Sequence, residues 1–385
     1  MSLHFATGFG GISCDSGLDD AILGVPASPG VFAVWPKEGE PYVARAGDLR
    51  RRLQRLLKKR DKPGKLLNLR DVAERVEYWP VSSRLQSWLV LHECARRYLP
   101  ATYTDLLKLR FPPYVRVLTA NTFPRTQVST RIHGPGFTYG PFRSRALADQ
   151  FEHDLLDLFQ IRRCQEDLAP SPDHPGCIYG EMSMCVRPCQ AVVSVEEYAS
   201  EARRVTEFLR SEGKSALHSA QDARDRLSAE MEFEAAARQH ERVERIEALV
   251  RLKEELAREV GQLCGVSVQA GPRPGTASLW FLVGAVWRKP LLFAGDSMET
   301  IPLDRRLREL VQKLELAEVS PREREEHAAI LARWYWSSWR DGIWIRCESL
   351  EKLSYRRLST AVSKVVHESV AAASDSMEKG ADSPN

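Results

Sequence analysis

Tyr139-Gly140-Pro141-Phe142 opens a stretch that runs through a helix-like segment to Arg163-Cys164, then to Cys177 and to Cys185-Val186-Arg187-Pro188-Cys189. Four of the chain's 8 cysteines fall in this one window. Thiolates are soft ligands, and four that converge fit either a zinc ion or an iron–sulfur cluster. Spacing alone does not choose between the two. The segment Val186-Arg187-Pro188 is short enough to aim the last two sulfurs at one centre, and Arg187 sets a cation where thiolate charge would gather. The alternative is four free cysteines packed as small hydrophobes. The polar, proline-rich flank Ala169-Pro170-Ser171-Pro172-Asp173-His174-Pro175-Gly176 argues against it.

Outward from this window the patterns are helical. Ser144 is placed to cap a helix whose Leu147, Phe151, Leu155 and Leu158 recur at three- and four-residue steps, delivering the chain to Cys164. A charged helix is expected over Val195 to Arg210. Leu217, Ala220, Leu227 and Met231 then form an apolar stripe, and Phe233-Glu234-Ala235-Ala236-Ala237-Arg238 starts a second helix that runs through Val243 and Ile246. Two such helices fold as an antiparallel hairpin with too little core to stand alone, which implies docking on the same chain or on a partner.

Before the window, Gly30-Val31-Phe32-Ala33-Val34-Trp35 and Pro41-Tyr42-Val43-Ala44 read as strands of a β-hairpin around Pro36-Lys37-Glu38-Gly39-Glu40. A helix follows, with Asp48 as its cap and Leu49, Leu53, Leu56 and Leu57 on one face. Its other faces carry Arg50, Arg51, Arg52, Arg55, Lys58, Lys59 and Arg60, continuing to Lys62 and Lys65, against few acids. A solvated helix face is the usual meaning of a charge run, but with so few acids to pair the cluster is read as binding a phosphate backbone. Pro112 to Leu118 and Val128 to Ile132 are β-like. After the hairpin, Ser278 to Val286 and Leu291 to Phe293 read as paired strands, with helices near Asp304 to Leu316 and Pro321 to Trp336. The aromatics Trp334, Tyr335, Trp336, Trp339 and Trp344 could stack on unpaired bases, but read better as a core.

The 385 residues carry a net charge of +3, 43% hydrophobic and 28% charged residues, and a mean hydropathy of −0.35. Two or three domains with ample core follow. No apolar run approaches the roughly 18 residues of a membrane helix, and the N-terminus lacks the marks of a signal peptide. A cytoplasmic protein with reduced thiols and no membrane partner is expected.

The Tyr-Gly-Pro-Phe start, the helix after it, Arg163-Cys164 and the last three cysteines resemble the central region of the UvrC excinuclease family. That resemblance implies a 4Fe–4S cluster on Cys164, Cys177, Cys185 and Cys189, with zinc as the alternative. The N-terminal hairpin and helix resemble the GIY-YIG nuclease domain, which cuts one phosphodiester with Mg2+ or Mn2+. Carried over, Tyr42 matches the second-motif tyrosine, Arg45 stands where the family has Lys, and Arg52 matches the catalytic arginine. Phe32 replaces the first-motif Tyr and Ala44 the motif Gly. Matching Arg96-Arg97-Tyr98-Leu99-Pro100 without a gap sets Leu91 at the metal-binding Glu position. Glu93, two residues on, is the remaining candidate, nearly opposite on the helix. Phe233, Glu234, Ala236, Ala237 and Val243 resemble the UVR domain, which implies docking of an excinuclease B-type partner through a matching hairpin.

The expected fold is α+β: a leader (1–24), a small GIY-YIG-like α/β domain (25–105), a connector and cysteine-rich helical linker (106–195), an antiparallel UVR-like hairpin (196–261), a small C-terminal α/β module (262–366) and a disordered tail (367–385). The chain reads as a truncated, divergent relative that binds DNA in nucleotide excision repair and nicks it if active. A catalytically dead DNA-binding adaptor and a zinc-binding regulatory protein are the competing readings.

Overall fold

The computed structural model describes residues 3–15, 17–59, 67–295 and 301–381. In chain order, β1 (Gly10–Ser13), α1 (Leu18–Leu23), β2 (Gly30–Pro36), β3 (Tyr42–Ala46), α2 (Leu49–Leu57), β4 (Ala73–Pro80) and α3 (Arg84–Tyr98) come first, followed by α4 (Tyr103–Leu107). Next are β5 (Tyr114–Leu118), β6 (Arg125–Ser129), β7 (Phe137–Gly140), α5 (Arg145–Leu158), α6 (Ile178–Glu181), α7 (Val195–Arg210), α8 (Lys214–Ala229), α9 (Phe233–Leu252) and β8 (Arg258–Glu259). The last are β9 (Cys264–Ala270), β10 (Thr276–Val283), β11 (Val286–Trp287), β12 (Leu291–Ala294), α10 (Leu303–Val311), α11 (Pro321–Tyr335), β13 (Ile343–Cys347) and α12 (Tyr355–Ala381). Mixed helices and antiparallel sheets make the chain α+β, as expected. No helix among the described residues is long and apolar enough to cross a membrane.

The chain divides into two compact units, residues 1–110, 264–318 and 333–385 in one, and residues 111–263 and 319–332 in the other. The first unit joins what the sequence reading separates, since the GIY-YIG-like segment and the C-terminal module share it. The β2–β3 hairpin forms as expected, with Val34 opposite Tyr42 and Gly30 opposite Ala46. Its sheet has the order β1-β4-β2-β3. Asp48 caps α2 by accepting the Arg51 N–H at 2.9 Å, an interaction worth about 1 kcal/mol. Leu49, Leu53, Leu56 and Leu57 are all buried against Phe32 and Val34.

The leader expected over residues 1–24 is instead part of this fold. Residues Gly10 to Ser13 pair with β4, and Leu18 and Ile22 of α1 enter the same core. Short apolar positions among glycines gave little periodicity to read. The tail expected from 367 is likewise helical to Ala381, because its alanines continue a helix as readily as they populate a coil.

The C-terminal strands of this unit form a sheet of order β11-β10-β9-β13, with β12 also paired to β10. Trp287, Trp334 and Trp344 meet edge to face at 6.1 to 6.4 Å. Trp287 and Trp334 are fully buried, so this aromatic cluster is core.

The second unit carries a sheet of order β6-β5-β7-β8. The motif Tyr139-Gly140 lies on β7, and after the helices the chain returns to pair Glu259 with Tyr139. Tyr139 stacks on Phe151 of α5 at 5.5 Å, and Phe142 is fully buried beside them. Ser144 caps α5, and Ser194 with Glu197 forms a reciprocal capping box on α7. Helices α8 and α9 make the expected hairpin, turning at Met231, whose φ is 60°.

Because Ile22 is 1% exposed in the α2 core, Ile22→Ala should destabilise the protein by roughly 2–5 kcal/mol. Chemical denaturation checks this; an unchanged midpoint would restore the passive-leader reading.

Candidate functional site

Cys164, Cys177, Cys185 and Cys189 converge on one small cleft, bordered by Arg162, Tyr179 and Arg187. Three local devices bring them there. Gly176 has φ +77° and turns the chain just ahead of Cys177. Gly180 lets the Arg187 stem pass, since a Cβ there would lie 2.8 Å from Arg187 Cγ. Arg187 and Ala191, at φ 55° and 52°, bracket the turn that carries Cys189.

Cys185 and Cys189 are each 8% exposed, whereas Cys177 is open to solvent. Burial pushes the Cys185 thiol up to about 11; Cys164, Cys177 and Cys189 add to this as like charges, and a backbone N–H at Arg187 opposes it. Cys189 is raised by burial and then by Cys177 and Cys164, against N–H groups at Cys189 and Gln190. Backbone donors thus face two of the sulfurs, as a charged thiolate would require. A side-chain donor is the buried Arg162, whose Nη1 lies 3.8 Å from Cys164 Sγ. Sequence reasoning singled out Arg187 and missed Arg162, although the Arg162-Arg163-Cys164 run was visible.

The donor set suits a soft metal group. Among the described residues, the set of three or more ligand atoms within 4.8 Å of one another is His153, Asp154 and Asp157. Four thiols around one cleft suit a zinc ion and an iron–sulfur cluster alike.

In the first unit Tyr42 and Arg52 meet, whereas Arg45 and Glu93 make contacts elsewhere. Tyr42 OH accepts from Arg52 Nη2 at 3.4 Å, and Arg52 Nε is buried without a hydrogen-bond partner. Tyr42, Ala44 and Ala46 face the α2 core. Arg45 alternates to the other face of β3 and packs on Trp88 of α3, its Cζ 3.7 Å from the ring centroid. Arg333 lies on the same ring at 3.9 Å. These residues, with Arg84, Trp339 and Asp341, line a cleft of about 700 Å3 that has neither Tyr42 nor Arg52 in its wall. Burial and then the nearby Arg333 pull Arg45 down to about 10, so it stays cationic at neutral pH. Asp341 is already engaged, accepting from the Arg84 N–H at 2.6 Å and from Trp334 Nε1 at 2.9 Å.

Glu93, the remaining candidate for the metal, has its carboxylate turned to the chain's start. Its two carboxylate oxygens accept the backbone N–H groups of His4 at 2.5 Å and Phe5 at 2.9 Å. The position three residues after Trp88 on the same helix face holds Leu91, 5% exposed. Trp88 and Arg333, far apart in the chain, gave sequence reading no signal.

Of the basic residues expected to hold DNA, Arg51, Arg55, Lys58 and Lys59 are exposed. Arg50 instead donates its Nε to Val25 O at 2.7 Å, which makes it an anchor for the chain after α1. Arg60, Lys62 and Lys65 lie outside the described residues. On the hairpin, Phe233 is 67% exposed and Glu234 and Ala237 are open. Ala236 and Val243 are buried within their own unit, so they do not belong to a free docking face. Val243 packs with Ile246 and Leu249 into the core that holds α5 and α7.

Residues 113–208 match the family model described as the UvrC/Cho excinuclease middle domain. Among curated proteins, the chain is similar to UvrABC system protein C of Lachnospira eligens, 26% identical over 226 residues that cover 57% of this chain and 37% of the relative. The same protein of Moorella thermoacetica is 25% identical over 264 residues, 68% of this chain and 42% of the relative. That of Methanosarcina mazei is 26% identical, over 58% and 42%. The chain spans about two fifths of the length of these relatives. No solved structure matches.

The raised thiols set a pH dependence for the metal-free protein. A folded Cys185 titrating near 11 binds its proton more tightly than an unfolded cysteine at about 8.5. Stability from this group is therefore full below the unfolded value and is lost as pH rises through the window up to about 11. Thermal melts should show that loss in wild type and a smaller one in Cys185→Ser.

Proposed function

The chain is a divergent relative of the UvrC family, and on that premise we propose that it serves nucleotide excision repair by gripping DNA without cutting it. The observation that carries this reading is the fate of the carboxylates. Leu91 occupies the place where the nuclease resemblance calls for a metal-binding Glu, and both oxygens of Glu93 are spent on the N-terminal segment. A divalent ion at that site would lack the side chain that should hold it. The tyrosine–arginine pair remains, and so does a cleft lined by guanidiniums, but these bind phosphate and do not by themselves activate water.

Binding is supported by two surfaces of the first unit. Arg51, Arg55, Lys58 and Lys59 offer an exposed basic edge to the DNA backbone. Arg45 and Arg333 around Trp88 offer cations beside an aromatic face, a combination that suits a phosphate and a neighbouring base. In the second unit, Cys164, Cys177, Cys185 and Cys189 would hold a 4Fe–4S cluster. Such a cluster would supply a covalent brace for the proline-rich loop, and an electron-transfer centre if it cycles. The exposed end of the hairpin, from Met231 through Phe233 and Glu234, would meet a B-type excinuclease partner.

A nicking assay on lesion-bearing duplex with Mg2+ or Mn2+ tests the central point. Wild type should retard the duplex and leave both strands whole. Incision that Arg52→Ala abolishes would overturn the non-cutting reading. Arg45→Ala combined with Arg333→Ala should weaken DNA binding and flatten its salt dependence by about one unit of slope per lost phosphate contact. Iron and sulfide analysis of anaerobically purified protein checks the cluster; zinc without iron would favour the regulatory-protein reading.

A further inference from the structure

In the second unit a cavity of about 530 Å3 opens between α5, α7 and α9, beside the cysteine loop. Arg163, Arg204, Arg242 and Arg245 line it, against Asp157 and Glu201. Each acid is already committed. Asp157 Oδ1 accepts from Arg163 Nη2 at 2.6 Å. Glu201 accepts from Arg204 Nη1 at 2.6 Å and from the Gln160 N–H at 3.1 Å. Four guanidiniums against two carboxylates leave an excess of two positive charges.

That excess is held in place and partly dry. The Arg163 side chain is 7% exposed, and its Nε is buried with no hydrogen-bond partner. Arg242 and Arg245, one turn apart on α9, make no ion pair or hydrogen bond among the described residues. Burial and then the like charge of Arg204 lower the affinity of Arg242 for its proton, only partly offset by Glu201. Folding the chain therefore assembles cations that repel one another, a cost that an anion would remove.

We propose that this cavity is a phosphate-binding site. Planar guanidinium forks reaching in from three elements match an oxyanion with several acceptor oxygens, which can take bidentate bonds from each. A carboxylate offers two oxygens in one plane and would leave some of these donors unused. The phosphate comes either free in solution or from a nucleic-acid backbone, and the two sources share this chemistry. The proposal does not depend on the non-cutting reading.

The test uses the full chain with two probes. With inorganic phosphate, compared with sodium chloride of equal ionic strength, the Tm of wild type should rise and saturate. Arg242→Gln with Arg245→Gln should lose that rise. Arg238→Gln with Arg251→Gln, which removes the same charge from the same helix outside the cavity, should keep it. With plain duplex DNA in rising salt, a backbone source makes binding by the cavity variant about tenfold weaker than by the control variant, with a salt slope shallower by about one. A lost phosphate response with unchanged DNA binding assigns the site to a free phosphate. Equal responses of the two double variants to both probes overturn the proposal. Arg245 is exposed, so Arg245→Gln alone gives the same reading if the double variant unfolds.

Discussion

The hydroxyl of Tyr198 ties down the entry to the cysteine region. Fully buried on α7, it donates to Pro124 O at 2.7 Å and accepts the Arg162 N–H at 2.9 Å. Arg162 then spreads outward, Nε to Phe123 O at 3.1 Å and Nη1 to Glu166 O at 2.5 Å. One phenol thus fixes the loop before β6, the strand-like entry to Cys164 and the start of the proline-rich segment. Around it lies apolar packing, with Phe123 edge-on at 5.3 Å. In such surroundings an unmatched polar group costs about 1–3 kcal/mol, so each partner holds the others to one arrangement. The loop carrying the sulfurs has little regular structure of its own, and this network does what a sheet would otherwise do.

In the first unit the buried frame and the candidate site residues are held by different contacts. The hairpin, α2 and α3 stand where the nuclease resemblance expects them. Yet Glu93 binds backbone at the chain's start, Leu91 is packed, and Arg45 rests on Trp88. None of these changes disturbs the core built by Phe32, Val34, Leu49 and Leu53. The buried framework and the site residues answer to separate constraints.

How much of this could be read from sequence follows the range of the interactions. Local signals were sufficient for the β2–β3 hairpin, for the caps Asp48 and Ser144, for α5 and for the α8–α9 pair, because each depends on residues a few positions apart. The four cysteines could be grouped because their chemistry is shared. The joining of the C-terminal module to the N-terminal segment could not be read, since it rests on contacts such as Phe5 near Trp280 at 6.2 Å. The same holds for the Arg45–Trp88–Arg333 stack. The backbone bonds of Arg50 and Glu93 could not be read either, because a charged side chain looks alike in sequence whether it faces solvent or holds a backbone group. Arg242 and Arg245 did carry a local sign, their one-turn spacing, but their unpaired state depends on α5 and α7.

Helix α9 holds two codes at once. Val243, Ile246 and Leu249 must point inward, and Arg242 and Arg245, each one step before an inward residue, must look into the cavity. Adjacent positions on a helix differ by about 100°. A single inserted or deleted residue between the hairpin turn and Leu249 would swing these guanidiniums toward the oily interior and the aliphatic groups toward water. Exchange of one side chain for a similar one is far milder. Along this rod, the phase of the helix carries both the packing and the charge.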